Sequence, residues 1–268
     1  MPYHALDYSW QGFEPTLLCV DRTSGAEISI GLEEVDYVIG ERRECVGHFE
    51  NGRHKPCPNH ESVSRFTQCA GCAEESFIPY QECVFEPKCD GELCEVEFCR
   101  REHVLYLAFY NTRAKIGMSS SRRIEERLIE QGADAYAMIA SYPTRKKARA
   151  AEKEISAKLR IPQSFRQKSL LDGLARRVDA GAIEDRFADI CTSLGSTFGL
   201  VPEKLEWLES YPIELPLEHR PTLRETSGRH KGKAMGVKGR WLIYRSTGIN
   251  ALSLADVPSR FIGTGRIS

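Results

Sequence analysis

Cysteines are concentrated in one part of this chain, which has 268 residues and ten cysteines. Seven of them lie between Cys57 and Cys99, in a stretch with no sustained helical or strand-like spacing of apolar residues. Such a stretch has little apolar surface to bury, so it needs another source of stability. Bound metal ions and disulfides are the two kinds of crosslink that cysteines provide.

Two short-spaced pairs form the first candidate metal site. Cys57 and His60 stand three positions apart, as do Cys69 and Cys72 further along the chain. Each pair can hold one side of a tetrahedral ion, and Zn²⁺ accepts both thiolate and imidazole ligands. The spacing therefore predicts zinc at Cys57, His60, Cys69 and Cys72. The residues that could replace one of these ligands are Cys45, His54 and His103.

The later cysteines form a second candidate site, with wider spacings: Cys83, Cys89, Cys94 and Cys99. Four thiolates suffice for one zinc ion, although an iron–sulfur cluster is an alternative. A disulfide scaffold is disfavoured because the start of the chain lacks a secretory signal pattern and cytosolic thiols stay reduced. We expect two structural zinc ions, since four protein ligands leave no open position for water.

Charge is distributed unevenly along a chain whose formal net charge is only −1. Residues 1–99 hold 19 acidic and 7 basic side chains, whereas residues 122–177 hold 14 basic and 7 acidic ones. A basic surface for an anionic partner is therefore compatible with a nearly neutral protein. No apolar run is long enough to span a bilayer, so we expect a cytoplasmic protein with no membrane partner.

A basic, glycine-rich stretch from residue 220 to residue 240 is the candidate nucleic-acid-binding segment. Its glycines would let the backbone approach phosphates, and its cations would supply counter-charge. Trp241 and Tyr244 follow on a predicted strand and could stack on single-stranded bases. An ordinary basic loop beside core aromatics is the alternative. The predicted binding residues are Arg220, Arg224, Arg229, Lys231, Lys233, Lys238 and Arg240.

The elements that would position a site alternate in the middle of the chain. Apolar spacing predicts strands over 104–110, 114–118 and 135–142, and helices over 122–131 and 145–159. Ser121 and Thr144 are the expected N-caps, and Gly132 is the expected C-cap of the first helix. Residues 15–40 and 233–254 have strand character, and residues 166–194 form two helical segments that meet near Gly181.

The triplet that ends at Tyr106 lies on the first predicted strand of this segment, and the triplet from Lys115 to Gly117 lies on the second. Arg127 and Glu152 lie on the two predicted helices. Through these residues the segment 103–165 resembles the GIY-YIG nuclease superfamily, at its two signature triplets, its arginine and its glutamate. The resemblance implies that the Tyr106 phenol acts near an attacking water, that Arg127 stabilises phosphate charge and that Glu152 holds Mg²⁺ or Mn²⁺.

Three positions depart from the superfamily pattern. Lys115 replaces a tyrosine, Gln131 stands where histidine is common, and Gln163 or Ser164 lies near the place of a closing asparagine. Lys115 could still bind phosphate, so phosphate binding survives these changes more readily than hydrolysis. Tyr110 offers a second phenol on the same strand face.

Helical spacing places Glu152 on the face of its helix that holds Ala148 and Ile155, so its carboxylate is expected to point toward the sheet. An ion pair between Arg127 and Glu152 is the structural alternative to a role in catalysis.

Five features occur together along the chain: ERRECVGHF, the cysteine array, the KIG strand, RLIEQGA and GKAMGVKGRWLIY. Through these features most of the chain resembles the family called domain of unknown function 2797. The predicted fold is α+β, with a β-rich body, an inserted zinc-binding module and a small GIY-YIG-like α/β domain plus extra helices. The expected boundaries are 1–56 and 200–268 for the β-rich body, 57–101 for the zinc module, 102–165 for the GIY-YIG-like domain and 166–199 for the helices.

The leading functional hypothesis is a metal-dependent phosphodiesterase or endonuclease, with RNA favoured over duplex DNA. Its predicted catalytic residues are Tyr106, Lys115, Arg127 and Glu152. The alternatives are a non-catalytic, zinc-stabilised nucleic-acid-binding module and an RNA-modifying enzyme. In the first two cases the cysteine module would be a rigid connector that positions a phosphate-binding site, whereas the modifying enzyme could have its chemistry at a zinc site with an open position. The sequence makes no prediction of the oligomeric state.

Overall fold

Strands outnumber helices in the computed structural model, which describes residues 1–75, 80–93 and 95–264. The fold is mixed α and β and strand-rich, in agreement with the predicted class. The chain divides into two units. The first comprises Met1–Gln81, Pro212–Glu214 and Pro221–Ser268, and the second comprises Glu82–Tyr211 and Leu215–Arg220. This division falls inside the 57–101 segment, so the two groups of cysteines belong to different units.

The described residues form fifteen strands: β1 Tyr3–Gln11, β2 Glu14–Asp21, β3 Glu27–Ile30, β4 Glu34–Arg43, β5 His48–Glu50, β6 Arg53–Lys55, β7 His103–Tyr110, β8 Arg113–Ser120, β9 Ala135–Tyr142, β10 Glu206–Trp207, β11 Thr222–Leu223, β12 Gly228–Lys238, β13 Trp241–Arg245, β14 Ile249–Ser253 and β15 Arg260–Thr264. The same residues form six α-helices: α1 Ala70–Glu74, α2 Glu97–Arg100, α3 Ile124–Gln131, α4 Arg145–Leu159, α5 Gln167–Leu174 and α6 Ala180–Phe198. Within this part of the chain, no helix has the length and apolar character to cross a membrane.

Nine strands of the first unit form one sheet in the order β11-β14-β13-β12-β4-β15-β1-β2-β3. Neighbouring strands are antiparallel except β11 and β14, which are parallel. Strands from both ends of the chain therefore share one sheet. On β4, Val35, Tyr37 and Ile39 are buried, which is the period-two pattern of a strand with one face in a core.

The second unit is built on a four-stranded sheet in the order β10-β9-β7-β8. Its central strand, β7, is antiparallel to both β8 and β9. Leu105, Leu107 and Phe109 point from β7 into a core that includes residues of α4 and α6. The opposite face of β7 carries Tyr106, which is also buried. Both faces of this strand are thus covered, which explains its continuous apolar sequence.

Several predicted elements have the expected bounds. Strand β9 covers 135–142 and helix α4 covers 145–159. The Thr144 hydroxyl accepts a hydrogen bond from the Lys147 backbone N–H, and Gly132 ends α3 in the left-handed conformation with φ 74°.

Two predictions differ from the structure, and one strand of the β-rich segment lies where no strand was predicted. Ser121 begins a 3₁₀ turn, Ser121–Arg123, and is not the residue that precedes α3. Gly181 lies in the first turn of α6 instead of at a break, and Asp179 caps that helix through the N–H of Ala182. Strand β1 was not predicted.

Candidate functional site

Four cysteine sulfur atoms come together in the first unit. The Sγ atoms of Cys45, Cys57, Cys69 and Cys72 all lie within 4.8 Å of one another. A tetrahedral zinc site with Zn–S bonds of about 2.3 Å has sulfur atoms roughly 3.8 Å apart. The Cys57 and Cys69 sulfur atoms are separated by 3.9 Å, which fits that geometry. These four residues could therefore hold a metal ion such as zinc.

A tight turn brings Cys45 to this cluster. Its sulfur accepts hydrogen bonds from the backbone N–H of Gly47, at 3.4 Å, and of Cys69, at 3.1 Å. Gly47 has a φ of +74°, and a Cβ at this position would collide with the Lys55 carbonyl. Only glycine fits this turn, because the chain after Cys45 passes against the backbone that leads to Cys57.

Burial and the closeness of the four thiols control their protonation. Burial raises the pKa of Cys45 to about 11 and, together with the adjacent thiols, raises the pKa of Cys72. At Cys57 burial acts in the same direction, but hydrogen bonds outweigh it and lower the pKa to about 7. Four adjacent thiols cannot all ionise without a cation among them, whereas bound Zn²⁺ would deprotonate them.

His60 is not part of this cluster, which corrects the predicted ligand set. Its Nδ1 atom lies 2.8 Å from Glu44 Oε1, and its side chain is 67% exposed. Cys45 supplies the fourth sulfur in its place. The sequence signal for this exchange was the Cys45-Val46-Gly47 turn, whose glycine lets a backbone N–H reach the sulfur. The predicted substitute His54 bonds the Val46 carbonyl, and His103 lies in the second unit.

The second predicted quartet is only partly described. Cys83, Cys89 and Cys99 are buried in the second unit, and Cys94 lies outside the described residues. Cys89 repeats the turn seen at Cys45, because its sulfur accepts the N–H of Gly91 at 3.3 Å. Among residues 80–93 and 95–99, however, the cysteine sulfur atoms do not converge as they do in the first unit.

A separate polar cluster surrounds Gln131 in the second unit. The Gln131 amide nitrogen donates to the Tyr106 hydroxyl at 3.1 Å, and the amide oxygen accepts from the Tyr110 hydroxyl at 3.3 Å. The same oxygen accepts a hydrogen bond from the Lys115 ammonium group. Lys115 Nζ also lies 5.8 Å from the centre of the Tyr110 ring. Helix α3 and strands β7 and β8 thus contribute to one network.

Burial and nearby charges control the protonation of this cluster. Burial and, to a smaller extent, the Arg127 cation lower the pKa of Lys115 to about 8, against the opposing effect of the Glu152 carboxylate. Burial raises the pKa of Tyr106 and of Tyr110, so both phenols stay neutral. The structure therefore brings Tyr106 and Lys115 into one network and places them within the electrostatic fields of Arg127 and Glu152.

Arg127 and Glu152 do not pair with each other. Arg127 is half exposed and bonds Glu130 at 3.3 Å. Glu152 is buried, and its Oε2 atom lies 2.6 Å from Nη1 of Arg149, which also bonds Gln163 at 2.8 Å. Burial raises the pKa of Glu152 and outweighs the opposing effect of Arg149. The sequence analysis missed Arg149, although its position one helical turn before Glu152 was a usable signal.

The structure pairs most of the predicted basic residues with carboxylates. Arg229 and Lys231 both contact Asp36, at 3.3 and 3.8 Å, and Arg240 contacts Asp256 at 2.8 Å. In the second unit, Arg220 contacts Asp172 at 3.2 Å. Lys238 is buried, whereas Arg224 and Lys233 are exposed. The seven residues therefore do not form an uncompensated basic surface.

The glycines and aromatics of this stretch have structural roles. A Cβ at Gly232 would collide with the Arg245 carbonyl, and one at Gly236 would collide with the Pro212 carbonyl. Trp241 and Tyr244 are each 3% exposed and belong to the core, so the predicted base stacking is wrong for both. Close packing within the fold therefore accounts for the two glycines and the two aromatic residues at these positions.

Comparison with known proteins identifies the family. The family model described as "Protein of unknown function (DUF2797)" matches residues 27–255, which include both the four cysteines and the Gln131 cluster. The match covers most of the chain, so the chain belongs to this family, and the resemblance to it is confirmed. No curated protein and no solved structure matches the chain.

Proposed function

We propose that Tyr106, Lys115, Arg127 and Glu152 surround a phosphodiester-binding site, and that the protein cleaves nucleic acid there with the help of a divalent metal ion. Lys115 carries this proposal. Its ammonium group is largely desolvated, yet within the described residues it bonds an amide oxygen and a tyrosine ring instead of a carboxylate. A desolvated lysine with a lowered pKa is the kind of group that can accept a proton in a reaction.

The neighbouring groups suit the chemistry that the GIY-YIG resemblance implies. The half-exposed Arg127 supplies positive charge for phosphate oxygens, and Lys115 lies near it as a desolvated amine. Glu152 would hold Mg²⁺ or Mn²⁺, which supplies Lewis-acid polarisation of a phosphoryl oxygen when bound. One oxygen of Glu152 is bonded to Arg149, and the carboxylate has a second oxygen with which to bind a metal.

A non-catalytic binding module is the second candidate, and two contacts favour it. Arg149 lies 2.6 Å from the Glu152 carboxylate, so metal binding competes with an ion pair that already compensates the charge. Tyr106 is only 2% exposed, and Gln131 bonds its hydroxyl. In this candidate Lys115 and Arg127 would bind the phosphate backbone without any hydrolysis.

The cysteine cluster has a structural role in both candidates. Four thiolates complete a tetrahedral zinc site and leave no position for a reacting water. An RNA-modifying enzyme with chemistry at this metal therefore has the least support. A second zinc ion at Cys83, Cys89, Cys94 and Cys99 remains part of the proposal, supported by the shared Cys-x-Gly turn at Cys89 and by burial of the three described cysteines.

Nucleic acid is the proposed partner, and the cleavage assay should compare strand types directly. The sequence favoured single-stranded RNA because of Trp241 and Tyr244, and their burial removes that reason. Labelled single-stranded RNA, single-stranded DNA and duplex DNA are therefore incubated with the full chain in Mg²⁺, in Mn²⁺ and in a chelator that leaves the bound zinc in place.

The decisive variant is Glu152→Gln, and Glu154→Gln is its matched control because that exposed residue of α4 pairs with Lys158. The proposal predicts metal-dependent cleavage that falls at least about 100-fold in Glu152→Gln and persists in Glu154→Gln. Binding without cleavage under every condition would select the second candidate. Neither binding nor cleavage would reject both candidates.

A further inference from the structure

The orientation of the Gln131 side chain is fixed by its partners. A protonated lysine can only donate hydrogen bonds, so the atom next to Lys115 Nζ is the amide oxygen of Gln131. This oxygen also accepts the Tyr110 hydroxyl. The amide nitrogen must then face Tyr106, where it donates to the hydroxyl oxygen at 3.1 Å.

This orientation gives the two reactive groups opposite roles. Because the Tyr106 oxygen accepts from Gln131, the phenol proton is not used in that bond and is free for another acceptor. A neutral Lys115 amine would keep N–H groups for the bond to Gln131 and would have a lone pair to offer elsewhere. One amide thus holds a hydrogen-bond donor and a proton acceptor at neighbouring positions of β7 and β8.

We infer that Gln131 is the positioning residue of this site, which directs the Lys115 amine to accept a proton from the attacking water and the Tyr106 hydroxyl to donate to a phosphate oxygen. This inference rests on the proposed function. The water oxygen bonds to phosphorus as its proton passes to Lys115 Nζ. The bond from phosphorus to the leaving oxygen breaks, solvent protonates that oxygen, and Lys115 returns its proton to solvent.

The groups around Lys115 are compatible with a base. Strand β7 presents Tyr106 and Tyr110, whose raised pKa values keep them uncharged. Helix α3 presents Arg127, which disfavours the charged amine, and helix α4 presents Glu152, which favours it.

Arg127 and Glu152 each bond a residue of opposite charge. Glu130 bonds Arg127, and Arg149 bonds Glu152, so each of the two nearest charges is partly compensated. Burial is the largest cause of the lowered pKa of Lys115.

Replacement of Gln131 by glutamate tests this role, because it keeps the length of the side chain and adds a negative charge beside Lys115. The titration of Lys115 is measured by NMR on protein with isotope-labelled lysines, and Lys115→Met identifies its signal. We expect an apparent pKa near 8 in the wild type. Gln131→Glu should raise it by about one unit or more. The control is Gln11→Glu, an exposed residue of the first unit, which should leave the titration unchanged.

Cleavage is then measured against pH for the same proteins. We expect the cleavage rate to rise with pH through the pKa of Lys115. In Gln131→Glu this rise should shift to higher pH together with the NMR titration. If the rise of the cleavage rate stays at the same pH while the NMR titration of Lys115 shifts, the inference is rejected and the proposed function is unaffected. A lysine that titrates near 8 in a protein with no cleavage would reject the proposed function, and the base role with it.

Discussion

Gly117 lies directly against the ring of Tyr106. A Cβ at position 117 would be 2.5 Å from both Cζ and Oη of the tyrosine, and the two residues are opposite each other on β8 and β7. The Tyr106 phenol occupies the space that a side chain at position 117 would fill. The glycine therefore leaves room for the Tyr106 ring, whose hydroxyl accepts a hydrogen bond from Gln131.

Gly117→Ala should displace the Tyr106 ring and destabilise the second unit. Overpacking of a buried site costs about 1–3 kcal/mol. The measurement is urea unfolding followed by circular dichroism. A Tyr106→Ala background removes the ring, so the same glycine substitution should cost much less there. Gly181→Ala is the control, since it lies in the first turn of α6 and an added Cβ there meets only an ordinary contact with Asp179.

An equal cost of Gly117→Ala with and without the Tyr106 ring would show that the ring is not the obstacle. The control should be neutral or stabilising by up to about 1 kcal/mol, because alanine is favoured over glycine in helices.

Cys45→Ser should remove one equivalent of zinc per chain, whereas His60→Ala should remove none. The reason is that Cys45, and not His60, completes the sulfur cluster. Zinc is measured by elemental analysis of the purified full chain. Cys191→Ser, on α6 of the second unit, controls for the loss of any cysteine. Retention of all zinc in Cys45→Ser, or loss in His60→Ala, would contradict the assigned ligand set.

Arg149→Met should destabilise the protein by about 3–5 kcal/mol, since it leaves the Glu152 carboxylate buried without its counter-charge. The double variant Arg149→Met/Glu152→Leu should recover most of this loss, because no isolated charge remains. Unfolding free energies of the single and double variants give the coupling. Lys158→Met breaks the exposed pair with Glu154 on the same helix and should cost less than about 1 kcal/mol. A similarly small cost for Arg149→Met would show that the buried ion pair contributes little to the free energy of unfolding.

Lys115 should make the stability of the protein rise with pH above about 8. The folded protein releases the Lys115 proton at about 8, whereas a lysine in the unfolded chain keeps its proton to about 10.5. Between these values the unfolded state binds more protons, so the free energy of unfolding increases by at most about 1.4 kcal/mol per pH unit. Unfolding at pH 7.5–9.5 should show this slope relative to Lys115→Met, in which it is absent. Parallel curves for the two proteins would show that Lys115 titrates normally.

Asp36→Asn should strengthen the binding of single-stranded RNA, if the basic strand β12 contacts it. The substitution releases Arg229 and Lys231 from their shared carboxylate. Fluorescence anisotropy at several salt concentrations should show affinity that increases several-fold and depends more steeply on salt. Asp185→Asn, exposed on α6, is the charge-matched control. Equal affinities for all three proteins would exclude this strand from the binding surface.

Local patterns predicted the elements of the second unit well because their causes are local. The bounds of β9 and α4 follow from apolar spacing, and Thr144 and Gly132 are capping residues whose geometry depends on the adjacent turn. Strand β1 was missed although it pairs with β2 across a short turn, because a bulge between Ala5 and Asp7 interrupts its alternation. His4, Ala5 and Leu6 are all buried, so the strand lacks a period-two pattern.

The site was harder to predict because it depends on contacts between residues that are far apart in the sequence. Spacing along the chain favoured His60 as a ligand, but the backbone turn at Gly47 brings Cys45 to the cluster instead. Gln131 looked like the loss of a catalytic group, whereas its amide connects three side chains from two strands. Trp241 and Tyr244 are buried by the nine-stranded sheet, and the basic residues beside them along the chain gave no sign of this burial.

Photo-crosslinking of a 4-thiouridine RNA to the full chain, with the attached peptides mapped by mass spectrometry, locates the nucleic-acid site on the protein. We expect the major crosslinks within residues 106–131, around Lys115 and Arg127, and Lys115→Met should weaken them about tenfold. Lys158→Met should leave them unchanged. Crosslinks confined to other parts of the chain, or equally strong in Lys115→Met, would contradict the assignment of the Gln131 cluster as a phosphodiester site.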